Sequence, residues 1–183
     1  MRIISWNIQG IKKAQALQEI CFLKKTYKPH IFFISEPLVI KANILAILPK
    51  VGFDHFDYVE PANHSGGLAV LWDNEMIQAS VLKKEQRAIH MLVYDTIKKR
   101  SLIISGVYAP TQPQDKDNFW QQLVQMNTLA DLPRCIIGDL NELANPSEKK
   151  GGIRYPPSKY SRLNNFTNSI NARSVPFTGC PFT

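Results

Sequence analysis

Cys135-Ile136-Ile137-Gly138-Asp139-Leu140-Asn141 is the stretch on which the reading of this chain turns. The run from Arg134 to Ile137 is apolar enough for a buried strand, so Asp139 and Asn141 leave at its C-terminal end. Side chains at i and i+2 of a strand share a face, which predicts that the two project side by side. The carboxylate can accept a proton from water or bind a metal, and the amide can donate to an anionic oxygen. That is half of what phosphodiester cleavage requires. The same residues also suit a plain strand-to-turn exit, so the surrounding sequence has to decide.

Three more strands end on polar residues. Asn7 follows Ile3 to Trp6, Glu36 follows Ile31 to Ser35, and Tyr108 closes Leu102 to Val107. Singly, these suit a turn former, an exposed charge before a proline and a strand aromatic. Together they predict one rim where a carboxylate holds a hard cation while amides and a phenol hold phosphate oxygens.

Strands are expected at Arg2–Trp6, Ile31–Ser35, Phe53–Val59, Leu68–Trp72, Ile77–Lys83, Ala88–Tyr94, Leu102–Tyr108 and Arg134–Ile137. Apolar spacing of three and four predicts helices at Lys12–Tyr27, Ala42–Leu48, Asp115–Ala130 and Ser158–Ile170. The first helix is expected to turn Ala14, Leu17, Ile20, Cys21 and the stem of Lys24 to one side. Short connections such as Asp73-Asn74 favour antiparallel pairing in the central block. The order β-α-β-α, strands, α-β-α implies a layered α/β sandwich in one domain over residues 1–183.

Phe182-Thr183 reads as the first two residues of a strand, which implies a C-terminally incomplete fold. Lys and Arg number 22 against 15 Asp and Glu, a net charge of +7, which suits a polyanion such as nucleic acid. Clusters such as Lys98-Lys99-Arg100 equally suit solvated turns. Cys21, Cys135 and Cys180 form neither a disulfide framework nor a zinc pattern, so an intracellular, reducing compartment is expected. The apolar stretches are too short to span a bilayer, the N-terminus shows no signal-peptide pattern, and no obligate protein partner is evident.

Trp6-Asn7, Ser35-Glu36, Ser65-Gly66-Gly67, Val107-Tyr108-Ala109-Pro110 and Gly138-Asp139-Leu140-Asn141 stand in one order. In that order the chain resembles the endonuclease/exonuclease/phosphatase superfamily. Ile34 to Pro37, His64 to Trp72 and Gly138 to Gly152 bring it nearer the endonuclease domains of plant LINE-type (non-LTR) retrotransposons. The resemblance implies a DNase I-like, two-sheet (four-layer) α/β sandwich lacking its last strands.

It further implies that Glu36 coordinates Mg²⁺ (or Mn²⁺) and that Asn7 orients the metal shell or attacking water. Tyr108 and Asn141 would donate to the scissile phosphate, and Asp139 would orient or deprotonate the water. DNA is the implied partner and the nucleus the implied location. Lys149, Lys150 and Arg154 are candidate DNA contacts because they follow Asn141 closely, with a solvated basic loop as the alternative.

Three departures stand out. Gln9 occupies the place of an Asp in cellular abasic-site endonucleases. The family's Thr-Trp motif stops at Thr183, and its Ser-Asp-His motif is missing. Of the four histidines, none sits at a matching place: His30 precedes a strand, His55 and His90 lie within strands, and His64 is in a loop. Little or no nuclease activity is therefore expected of residues Met1 to Thr183. The alternatives are a non-catalytic nucleic-acid-binding remnant and a phosphatase acting on inositol phosphates or sphingomyelin.

Overall fold

The strand Ile31–Ser35 (β2) is buried at all five residues in the computed structural model, and two cores form on its two faces. Residues 1–61, 66–127, 131–153, 155–176 and 178 are described. The chain divides into two units: Met1–Tyr108 with Leu132–Asp139, and Ala109–Asp131 with Leu140–Thr183.

In the first unit, β2 lies between β1 (Ile3–Asn7), parallel to it, and the antiparallel β4 (Leu68–Trp72). The antiparallel β3 (His55–Val59) closes this sheet in the order β1-β2-β4-β3. The alternation of β2 and β4 sorts their side chains. Phe32, Ile34, Ala69 and Leu71 join a core with Ile20, Ile44 and Leu48, while Ile31, Phe33, Leu68 and Val70 enter the other core. Helices α1 (Ala14–Tyr27) and α2 (Lys41–Ile47) serve the first core. The buried side of α1 runs through Ala16 and Ile20, with Leu17 and Leu23 packed beside them. Ala14 is left exposed, so the stripe is rotated from the one expected. A left-handed Lys28 followed by Pro29 stops that helix.

The second sheet is ordered β5-β6-β7-β8: β5 (Ile77–Glu85), β6 (Ala88–Asp95), β7 (Arg100–Tyr108) and β8 (Arg134–Asp139). Its first three strands are antiparallel, and β7 and β8 are parallel. Ile77, Ile89, Met91, Val93 and Ile104 meet Ile31, Phe33, Leu68 and Val70 of the first sheet in the inter-sheet core. Gly106 makes that approach possible, because a Cβ there would lie 2.0 Å from the Phe33 ring.

Every expected strand and helix is present, with ends moved by a few residues. Two shifts matter for function: Asn7 and Asp139 are the last residues of β1 and β8 rather than the residues beyond them. The turn at Asp73-Asn74 does not join an antiparallel pair. It carries the chain from β4 in one sheet to β5 in the other, with Asp73 N–H donating to His30 C=O at 3.1 Å. Residues Phe182-Thr183 lie outside the described residues.

The second unit carries α3 (Pro113–Asn127) and α4 (Ser158–Ser169). Pro113 opens α3, where a missing N–H costs nothing. The two helices bury Phe119, Trp120, Leu123, Met126, Tyr160, Leu163 and Phe166, with the Trp120 and Phe166 rings 4.7 Å apart.

Candidate active site

Each sheet contains one parallel pair, and the C-terminal ends of both pairs carry the polar residues singled out above. In the first sheet Asn7 pairs with Ser35, the residue before Glu36. In the second, Tyr108 pairs with Asp139. Two hydrogen bonds join these pairs across the sheets. Asn7 Nδ2 donates to Asp139 Oδ2 at 3.0 Å, and the Tyr108 hydroxyl donates to Glu36 Oε1. Four of the five expected residues thus form one constellation in the first unit. Ligand sites of α/β sheets gather at such carboxyl ends of strands.

Glu36 is held on all sides. Its backbone is left-handed at φ 53°, its N–H donates to Gly67 C=O at 3.2 Å, and its C=O accepts from Gly10 N–H at 2.9 Å. Left-handed backbone at a residue other than glycine is uncommon and persists where the surroundings over-determine it. The β1 exit supplies that support: Ile8 and Ile11 N–H donate to Ser35 and Pro37 C=O, each at 3.0 Å. Gly138 has φ 142°, and a Cβ there would sit 1.9 Å from Val107 O, so only glycine lets β8 deliver Asp139 beside Tyr108.

Burial pushes the Tyr108 phenol well above the ordinary tyrosine range, helped by the hydrogen bond to Glu36 and by the Glu36 and Asp139 charges. It therefore stays a donor through the physiological range. The Arg87 guanidinium lies 5.6 Å from the centre of the Tyr108 ring and opposes that shift slightly.

Oxygen ligands dominate the rim. Among the described residues no three His, Cys, Asp or Glu side chains come together. What is present is two carboxylates and the amide oxygen of Asn7, which is buried and lacks a partner among the described residues. A small hard cation that retains several waters needs only one or two protein carboxylates. The donor set therefore fits Mg²⁺ or Mn²⁺.

Asn141 belongs to the second unit. Because β8 stops at Asp139 and Asn141 is left-handed at φ 46°, strand alternation does not reach it, and the expected side-by-side projection does not follow. Its Nδ2 donates to Ala109 C=O at 2.7 Å, and its C=O accepts from Lys116 Nζ at 2.5 Å. Lys116 is 8% exposed and pairs with Glu142 at 3.1 Å, while Glu142 pairs with Arg162 at 3.0 Å. Sequence reading passed over Lys116. Its signal was a lysine in the apolar stripe of Phe119, Trp120 and Leu123.

Lys149 is occupied within its loop: Nζ donates to Gly151 and Ile153 C=O at 2.7 and 2.9 Å. Lys150 is exposed, and Arg154, Ser65 and His64 lie outside the described residues. His55 stacks on Trp72 and His90 bonds Ser105 at 2.8 Å, as befits strand residues. The His30 ring accepts from Arg2 N–H at 2.9 Å. Among the described residues, no helix is long and apolar enough to cross a membrane.

No family model and no curated protein matches the chain. Solved structures do. An AP endonuclease (LMAP) from Leishmania major superposes with TM-score 0.69 and 14% identity, over 92% of this chain and 66% of its own. An AP endonuclease from Archaeoglobus fulgidus gives 0.66 and 15%, over 90% and 69%. The endonuclease domain of TRAS1, a telomere-specific non-LTR retrotransposon, gives 0.66 and 14%, over 92% and 71%. The chain spans 66–71% of the length of these structures. Its two four-stranded mixed sheets, packed face to face with flanking helices, have the DNase I-like α/β sandwich fold of these structures.

Proposed function

We propose that the rim at Asn7, Glu36, Tyr108 and Asp139 is a metal-assisted phosphodiester-hydrolysing site whose substrate is DNA, as in a retrotransposon endonuclease acting in the nucleus. The observation that carries this reading is the pair of inter-sheet hydrogen bonds. They put a proton-accepting carboxylate and a phenol donor at the ends of neighbouring strands. Glu36 and the unpartnered Asn7 oxygen would hold a divalent cation, which supplies charge neutralisation at the phosphate.

Asp139 orients and deprotonates the attacking water, and the Asn7 amide fixes the direction of its carboxylate. The Tyr108 hydroxyl donates to a non-bridging oxygen. Fixed donors of this kind stabilise developing charge because they need no reorganisation during the reaction. The net charge of +7 favours a polymer of phosphates over a small phosphate ester.

The test is nicking of supercoiled plasmid by the chain in Mg²⁺ or Mn²⁺ and in EDTA, beside hydrolysis of an inositol phosphate. Any relaxed circles that form should need the cation and vanish with Glu36→Ala. DNA binding without nicking in any cation would favour a non-catalytic binder, and preferential release of inositol phosphate would favour a phosphatase.

A further inference from the structure

Ser35 is the last residue of β2, paired with Asn7 of β1 on one side and Leu68 of β4 on the other. Register partners point to the same face of a sheet. Leu68 enters the inter-sheet core, and so do Phe33 and Ile31, two and four residues before Ser35. The Ser35 hydroxyl therefore faces the second sheet. Asn7 faces the same way, since its amide bonds Asp139 of that sheet. The Ser35 backbone is pinned in place, with its C=O accepting from Ile8 N–H at 3.0 Å.

Ser35 is 3% exposed, and its Oγ lacks a hydrogen-bond partner among the described residues. Asn7 Oδ1 is buried and unpartnered in the same way. Ser105, buried to a similar degree, has its partner in His90 at 2.8 Å. Folds rarely bury one such oxygen unsatisfied, and here two occupy paired positions. The next residue is Glu36, fixed in left-handed backbone by Gly67 C=O and Gly10 N–H. One end of one strand pair thus carries an amide oxygen, a hydroxyl and a carboxylate. All three are hard oxygen donors. Mg²⁺ approaches such donors to about 2.0–2.1 Å, closer than the roughly 2.7 Å of a hydrogen-bonded water oxygen. A small cation is therefore the partner suited to two oxygens packed out of solvent.

We propose that Ser35 Oγ is a ligand of the divalent cation at this rim, beside Asn7 Oδ1 and Glu36. The proposal rests on the cation-assisted reading above and adds a neutral donor to it. A hydroxyl favours hard cations, and a thiol in its place favours soft ones. That preference makes the assignment testable by exchanging a single atom.

The experiment measures Mn²⁺ binding by electron paramagnetic resonance and Cd²⁺ binding by ultraviolet absorbance, with and without a short duplex. It compares wild type, Glu36→Ala, Ser35→Ala and Ser35→Cys. Ser35→Ala is expected to weaken Mn²⁺ about tenfold or more. Ser35→Cys should also weaken Mn²⁺, bind Cd²⁺ more tightly than wild type, and show a thiolate-to-cadmium band beyond any from Cys21, Cys135 and Cys180. Adding Glu36→Ala to Ser35→Cys should weaken that Cd²⁺ binding, which ties the band to this rim. A serine whose role is only structural would give no such band.

Mn²⁺ bound by Ser35→Ala as tightly as by wild type, with no added band in Ser35→Cys, would overturn the Ser35 assignment. If Glu36→Ala abolished binding in that case, the cation reading would stand without Ser35. Absence of Mn²⁺ binding by the wild type, with and without duplex, would overturn both. A last arm needs no variant: wild-type crystals grown with Mn²⁺ should show anomalous density in contact with Ser35 Oγ. Density on Glu36 that does not touch Ser35 would overturn the assignment.

Discussion

Asn7 Nδ2 donates to Asp139 Oδ2 at 3.0 Å across 132 residues of sequence, tying the last residue of β1 to the last residue of β8. The bond orients a carboxylate, and it links the two sheets at the rim. Asn7→Ala should cost about 1.5–3 kcal/mol, the range for a hydrogen bond to a charged group. Asn7→Asp should behave differently, because two adjacent carboxylates raise one folded pKa above its unfolded value. Its stability deficit should be largest at neutral pH and shrink as pH falls through that raised pKa. Urea unfolding at neutral and mildly acidic pH measures both. Equal stability of Asn7→Asp and wild type at neutral pH would show that the carboxylates do not interact.

Gly106→Ala should destabilise the inter-sheet core, since its Cβ would stand 2.0 Å from the ring of a Phe33 only 1% exposed. Overpacking of this kind costs about 1–3 kcal/mol. Adding Phe33→Leu should recover part of the loss. Gly138→Ala meets backbone instead, 1.9 Å from Val107 O, and no side chain can move to relieve it. It should also pull Asp139 away from Tyr108 and reduce any cation-dependent nicking. Thermal melts of the three variants check the order, and a stable Gly138→Ala with wild-type activity would contradict it.

Two buried groups set opposite pH limits. Burial lowers the His90 pKa below 6.5, partly offset by Glu85 and reinforced by Lys83 and Arg134. A depressed folded pKa means that its contribution is complete above pH 6.5 and is lost as pH falls from there. Replacing His90 with Gln should flatten the acid limb. Burial, with help from the Glu60 charge, pushes the Tyr58 phenol from 10.0 up to about 12. Its contribution is complete below pH 10 and lost as pH rises toward 12. Tyrosinate absorbance should show that late titration, and Tyr58→Phe should remove it.

Lys149 and Lys150 should separate into a loop staple and a solvent-facing charge. Lys150→Glu should weaken duplex binding at low salt while leaving the loop intact. Lys149→Glu removes two hydrogen bonds to Gly151 and Ile153 C=O, so limited proteolysis near Ile153 should accelerate as well. Equal proteolysis of the two variants would remove the distinction. If the double charge reversal leaves DNA affinity unchanged at low salt, the loop is merely solvated.

The sequence by itself determined the elements and the polar residue at the end of each key strand. β4 came out at Leu68–Trp72 as read, because a short run of buried residues between turn formers is a local signal. Asn7, Glu36, Tyr108 and Asp139 were recognisable because apolar runs stop at them. Only the tertiary structure decided which of these meet. The partners are chosen by which strand faces bury against each other, and that depends on contacts over a hundred residues apart. Hence Asp73-Asn74 crosses between sheets rather than closing a hairpin, and Asn141, two residues past Asp139, turns left-handed to bond Ala109. Arg87 gave no sequence signal at all. A two-residue turn looks alike whether its arginine faces bulk water or the ring of Tyr108, and only the packing of β5, β6 and β7 places it at the rim.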